Sequence, residues 1–353
     1  MLPRHDEPRT GGGPPDDAPL VRYQLHGKVA VLTINRPERH NAWTFEVEEE
    51  LFDLADRADD DDRVGAIVLT GAGTGFCPGM DMKVLAGLGA GPGVAARPRP
   101  ATHLRTMRKV TVAAINGGCA GVGLAQALCC DIRFAADEAR ISCAFTRRGT
   151  PAEYGVSWLL PRLIGLADAT DLLLSGRTIG AAEAERLRLV TRTAPRADLL
   201  GLAVEYAQDI AVHCAPLAVQ AVKAQLDADT TQQLAASVAD ARRIAHEPAR
   251  RPDVAEGARA FLEKRLPAFA PLPAAPGQVT AGVPRWRPDR GRPRRPRADV
   301  GADVRPARVR GPERPSVPTF ADYVPAGSYW NRVVEQWGAL RVDEPILSAN
   351  YSP

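Results

Sequence analysis

Two glycine-rich loops, each fed by an apolar, β-prone run, constrain this chain more than any other feature of its sequence. The first reads Thr70-Gly71-Ala72-Gly73-Thr74-Gly75-Phe76-Cys77-Pro78-Gly79-Met80-Asp81-Met82 and follows a buried strand predicted over 66–70. The second begins Asn116-Gly117-Gly118-Cys119-Ala120-Gly121-Val122-Gly123, follows a strand predicted over 110–115, and leads into a helical stretch at 123–129. Strand, glycine loop and helix start in this alternation describe an α/β protein. A dinucleotide fingerprint starting at Gly71 would need glycine where Phe76 stands, so that reading fails on spacing. Ala120, Gly121 and Gly123 let a ligand approach the backbone closely, and the first N–H groups of the following helix have no acceptor within it.

The remaining pattern fills in around these loops. Residues 21–25 and 29–34 read as strands joined by a hairpin turn at His26-Gly27-Lys28. From Thr44 to Ala58, apolar Val47, Leu51, Leu54, Ala55 and Ala58 recur at helical spacing, with Thr44 as the cap. A strand follows at 132–135, and 155–269 reads as largely helical. Residues 1–19, rich in Pro, Gly and charge, read as a disordered leader. After a domain spanning 20–272, residues 273–318 form a Pro/Arg-rich linker that cannot build a core, and 319–353 an aromatic tail with the spacing of one short helix.

Composition narrows the function classes. A formal charge of +3 over 353 residues gives no general reason to expect a nucleic-acid partner, and the Arg-Pro repetition at 285–314 lacks the aromatic interleaving of a stacking platform. The six cysteines show no C-x-x-C pairing and sit mostly in apolar runs, which reads as reduced core thiols in a cytoplasmic protein. No uncharged apolar stretch has the length of a membrane span.

Two strand ends bringing backbone N–H donors together suit a thioester whose carbonyl oxygen gains charge as an enolate. Here the sequence resembles the enoyl-CoA hydratase/isomerase (crotonase) superfamily. The motifs are Ile34-Asn35-Arg36-Pro37-Glu38-Arg39-His40-Asn41-Ala42, Gly79-Met80-Asp81-Met82, Asn116-Gly117, Cys130-Asp131, Glu256-Gly257 and Ala260-Phe261-Leu262-Glu263-Lys264-Arg265, in the family's order. The resemblance implies a spiral of β-β-α turns (a ββα superhelix) with a helical C-terminal region making trimer contacts, in a homotrimer or a dimer of trimers. It implies an acyl-CoA substrate, with coenzyme A entering as part of that substrate and no other cofactor or metal. It further implies oxyanion N–H groups from Met80 and Val122, the latter replacing the family's usual glycine. Contacts to the coenzyme A portion would come from Arg39, Asn41, Ala42, Asp81 and Met82, and from Phe261 and Lys264 of the terminal helix, often toward a neighbouring subunit.

The carboxylates depart from the hydratase pattern. The two glutamates by which hydratases of this family activate water would fall at Ala125 and Phe145, and neither side chain can take a proton. Glu153 instead matches the single carboxylate of Δ3,Δ2-enoyl-CoA isomerases. A lone carboxylate suits a shuttle that removes a proton from C2 and returns it at C4, and burial near Trp158 would raise its pKa toward neutrality. Hydration by a rearranged carboxylate, thioester hydrolysis, decarboxylation and silent acyl-CoA binding share the same oxyanion donors. Asp131 reads as structural, and Cys77 and Cys143 lack an activating neighbour in sequence.

Overall fold

A computed structural model describes residues 18–88, 99–247 and 250–273. The chain divides into units Met1–Gly282 and Val283–Pro353. Residues 1–17 of the expected leader, and all of the linker and aromatic tail beyond Pro273, lie outside the described residues.

A six-stranded sheet forms the frame, from β1 (Val21–His26), β2 (Val29–Ile34), β3 (Ala66–Gly71), β4 (Val110–Ile115), β6 (Ile132–Ala136) and β9 (Arg192–Ala194), in that order across the sheet. Only the β1/β2 pair is antiparallel, because only it is joined by a tight turn, in which Gly27 takes a φ of 58°. A parallel strand buried on both faces needs apolar residues at every position, and every residue of β2, β3 and β4 is buried. Alternation then divides them. Val29, Val31, Ala66, Val68, Val110 and Val112 face Leu199, Ala203 and Ala207 of the long helix α7 (Arg196–His213), while Leu32, Ile34, Ile67, Leu69 and Ile115 face the main core.

That main core is closed by α1 (Phe45–Asp60), which Thr44 caps by accepting from Val47 N at 3.3 Å and which buries Val47, Leu51, Phe52, Ala55 and Ala58. A second, three-stranded sheet of β5 (Gly118–Ala120), β7 (Arg140–Ser142) and β8 (Thr178–Gly180) adds the extra layer of strands that distinguishes a spiral of β-β-α turns from one open doubly wound sheet. The sequence reading omitted β5, β7, β8 and β9: each has three residues, too few for a period-two pattern, and each exists only through distant partners. The second half is otherwise helical as expected. It holds α4 (Val156–Ile164), α5 (Leu166–Ser175), α6 (Ala181–Arg186), α7, α8 (Pro216–Ala228), α9 (Leu234–Ala245) and α10 (Arg251–Glu263). Among the described residues no helix is long and apolar enough to cross a membrane.

The thiols follow the core. Cys77, Cys119, Cys129, Cys130 and Cys143 are buried and Cys214 is exposed. Burial pushes the Cys77, Cys129 and Cys130 thiols up to about 12 and that of Cys143 up to about 11. An aromatic disulfide reagent at neutral pH should therefore titrate one thiol rapidly in the native protein and all six after denaturation. Fast reaction of a second thiol in the native state would show that one of these sites opens.

Candidate active site

The first glycine loop is shaped by two buried asparagines. Asn41 donates through Nδ2 to the carbonyls of Ala72 and Gly75 at 2.8 and 2.7 Å, and its Oδ1 accepts from Arg36 N at 2.9 Å. Asn116, from the start of the second loop, donates to the carbonyls of Gly71 and Gly73 at 2.8 and 3.0 Å and accepts from Gly71 N at 3.2 Å. The two loops are thus joined by side chains that satisfy otherwise buried peptide groups.

Backbone contact completes the union. Phe76 N and Cys77 N donate to Gly118 O, and Ala120 N donates to Cys77 O, in a short parallel pairing of Cys77 with Cys119. A Cβ on Gly123 would lie 2.1 Å from Cys77 O, and one on Gly117 only 1.9 Å from Thr74 O, so glycine is required at both positions by close approach. Gly79 and Gly121 adopt φ of 114° and 52°, and an added Cβ on Gly121 would stand 3.8 Å from Gly79 Cα. The residues after these glycines, Met80 and Val122, are thereby brought to one place.

Their N–H groups are directed by the same pairings. Trp43 pairs in parallel with Met80: Trp43 N donates to Gly79 O and Asp81 N to Trp43 O, both at 2.8 Å. Peptide groups alternate in direction along an extended chain, so the N–H of Met80 points away from Trp43. Val122 is the first residue of α3 (Val122–Cys129), where an N–H has no acceptor inside the helix and the helix start favours negative charge. Both residues line one cleft of about 1480 Å³.

Glu153 and Tyr154 line that cleft too. They precede α4 in a turn where Tyr154 has a φ of 55° and Gly155 of 71°, and Val156 N donates to Glu153 O at 3.0 Å. The expected burial of Glu153 is corrected: it is exposed on the cleft wall. Trp158, which was to cover it, is itself 38% exposed and carries the guanidinium groups of Arg162 and Arg105 at 3.9 and 5.5 Å from its ring centre. Ala125 is fully buried in α3 and Phe145 is a buried, apolar part of the cleft wall, so neither position of the absent glutamates offers a carboxylate.

Of the residues expected around coenzyme A, Arg39, Ala42, Asp81 and Met82 line the cleft. Buried Asp81 pairs with Arg36 and Arg39 at 3.3 and 3.4 Å, and its carboxyl is held below the usual range by the Lys83 N–H first and those arginines second. The Asn41 side chain is spent on the glycine loop rather than turned to the cleft, a correction that follows from its three internal hydrogen bonds. Phe261 and Lys264, at the end of α10, are exposed and outside the cleft lining. Asp131 is structural as expected, accepting from Thr111 N, Thr111 Oγ1 and Lys223 Nζ.

Two features escaped the sequence reading. Arg147 and Arg148 line the cleft. Glu48, buried in α1, also lines it and accepts from Trp43 Nε1 at 3.1 Å. The signal for Glu48 was available: it falls four residues before Phe52 and seven before Ala55, on the face α1 buries.

Residues 24–271 match the family model described as enoyl-CoA hydratase/isomerase. The chain is 37% identical over 246 residues to the probable enoyl-CoA hydratase echA8 of Mycobacterium tuberculosis, covering 69% of this chain and 94% of that one. It is 35% identical over 255 residues to a probable enoyl-CoA hydratase of Rhodobacter capsulatus, covering 70% and 97%. Among solved structures, a probable enoyl-CoA hydratase/isomerase from Mycobacterium abscessus superposes with a TM-score of 0.66 at 34% identity, over 71% of this chain and 99% of that one.

Proposed function

Because the chain belongs to the enoyl-CoA hydratase/isomerase (crotonase) family, we propose that it moves a double bond within an enoyl-CoA thioester, in a Δ3,Δ2-type isomerisation. The observation carrying this reading is that Glu153 lines the cleft together with Met80 and Val122, while Ala125 and Phe145, where the resemblance would put the water-activating glutamates, carry no carboxylate. Glu153 removes a proton from C2 and the electron pair delocalises through the double bond onto the thioester oxygen. The N–H groups of Met80 and Val122 stabilise that dienolate. Glu153 then returns the proton at C4 as the double bond forms between C2 and C3. The bound acyl chain supplies the cover that Glu153 lacks in the free protein.

A hydratase reading is favoured by the names of the relatives and by a second carboxylate, Glu48, on the same cleft. Incubating the protein with 2-enoyl-, 3-enoyl- and aromatic-ring acyl-CoAs, and identifying products by mass and double-bond position, separates the two. Migration of the 3-enoyl double bond is expected; conversion of 2-enoyl substrate to a 3-hydroxyacyl product without migration would replace isomerisation by hydration. Binding without exchange of C2 protons into heavy water would instead mark a catalytically silent protein.

Phe261 and Lys264 reach a substrate from a neighbouring copy in this reading, in a cytoplasmic homotrimer or a dimer of trimers. Exposed apolar residues along the helical half, among them Val222, Leu226, Leu234, Val254 and Leu262, support such contacts. Light scattering should give a mass three or six times that of one chain, and a monomer at assay concentration would refute the assembly.

A further inference from the structure

Among the described residues, four arginines line the cleft, and three of them are committed to the protein itself. Arg39 pairs with Asp81, and Arg99 pairs with Asp53 and Asp56 at 2.5 and 3.2 Å. Arg147 donates through Nε to Ser175 O at 2.9 Å, at the end of α5. The fourth differs. Arg148 is exposed on the same cleft, and its guanidinium forms no hydrogen bond, ion pair or ring contact with any described residue.

The backbone of Arg148 is nevertheless fixed. It ends a single 3-10 turn, Thr146–Arg148, in which Arg148 N and then Thr150 N donate to Phe145 O at 2.8 and 3.1 Å. Thr146 Oγ1 and Arg147 Nε tie that turn to the carbonyls of Leu173 and Ser175. An unpaired cation on a fastened turn inside a ligand cleft complements an anionic ligand group, and a guanidinium suits a carboxylate, which it grips through two parallel N–H donors. An acyl-CoA carries anions at two ends: the phosphates of coenzyme A and, in some acids, a carboxylate at the far end of the acyl chain. The place of Arg148 favours the second. It lies five residues before Glu153 on one segment, so their Cα atoms are at most about 18 Å apart. Phe145, whose carbonyl anchors the turn, is a buried apolar part of the same lining, as a hydrocarbon chain approaching Arg148 requires.

We propose that Arg148 is a specificity-determining residue that selects acyl thioesters whose acyl chain ends in a second carboxylate, the guanidinium donating to that carboxylate. The inference rests on the reading above, in which Glu153 works on the acyl carbons nearest the thioester. A chain ending in a carboxylate gains charge-assisted hydrogen bonds, whereas a methyl-ended chain leaves the guanidinium to water and gains nothing from it. The discrimination is an attraction between charges, so salt screens it.

The test is binding to the full-length protein, by titration calorimetry. Adipoyl-, pimeloyl- and suberoyl-CoA are each compared with the methyl-ended ligand of the same length, hexanoyl-, heptanoyl- or octanoyl-CoA. At low salt, at least one dicarboxylic ligand should bind on the order of 10-fold more tightly than its partner, and the ratio should shrink as salt is added. Arg148→Gln should bring that ratio to about one or below by weakening the dicarboxylic ligand alone, and Arg148→Lys should keep part of it. Arg148→Glu should invert the preference. The exposed side chain bonds to nothing in the fold, so thermal unfolding of the three variants should match that of the wild-type protein. A wild-type ratio of about one in every pair, or a preference that survives Arg148→Gln, would overturn the assignment. Equal weakening of both ligands of each pair by Arg148→Gln would also overturn it, by giving Arg148 to the phosphates of coenzyme A. Failure of the wild-type protein to bind any of these ligands would overturn the acyl-CoA reading itself, and this inference with it.

Discussion

Replacing Glu153 by Gln should lower double-bond isomerisation by a factor on the order of 10² or more, with acyl-CoA affinity nearly unchanged. The amide keeps the shape of the side chain and its place in the turn before α4, where Tyr154 and Gly155 both adopt positive φ. What it loses is the ability to hold a proton between C2 and C4. The proposed donors at Met80 and Val122 are backbone groups on the same cleft that the substitution leaves alone, so acyl-CoA binding and residual enolate stabilisation should persist. Single-turnover kinetics with a 3-enoyl-CoA, beside equilibrium binding of a saturated acyl-CoA, gives both quantities. Wild-type turnover in Glu153→Gln would remove Glu153 from the chemistry, and Glu48 would become the carboxylate to examine.

The second large effect is expected at the junction of the glycine loops. Gly123→Ala drives a Cβ to 2.1 Å from Cys77 O and 2.8 Å from Cys77 Cβ, and Gly117→Ala drives one to 1.9 Å from Thr74 O. These neighbours are chiefly backbone, pinned by Cys77 N and Ala120 N pairings and by Asn116, so no flexible side chain can yield. Each substitution should destabilise the protein by about 3 kcal/mol or more. Whatever folds should have lost turnover, because separating the loops moves Met80 from Val122. Gly118→Ala is the control. It adjoins Gly117, but a Cβ there meets nothing within 4 Å, so it should be neutral or slightly stabilising. Chemical denaturation of the three variants decides the matter, and equal stability of Gly117→Ala and Gly118→Ala would mean that the loops are not locked as described.

Several elements were legible in the sequence because their causes are local. The uninterrupted apolar runs of β2, β3 and β4, the Thr44 cap and helical spacing of α1, and Gly27 in the first hairpin each follow from a few neighbouring residues. The motif order carried the family, and with it the expectation that Met80 and Val122 meet. Tertiary structure alone decided the rest. The three-residue strands form because partners far along the chain complete their hydrogen bonds, which no local pattern encodes. Asn41, polar in a loop motif, turns inward because the carbonyls of Ala72 and Gly75 would otherwise be buried unpaired. Glu153 is exposed in the turn before α4 and lines the cleft, whereas Glu48, one of four glutamates within 46–50, lies on the buried face of α1 and accepts from Trp43 Nε1. Sequence spacing fixes which face of a helix a carboxylate occupies, but what that face meets, solvent, core or a ligand cleft, is set by the packing of distant segments.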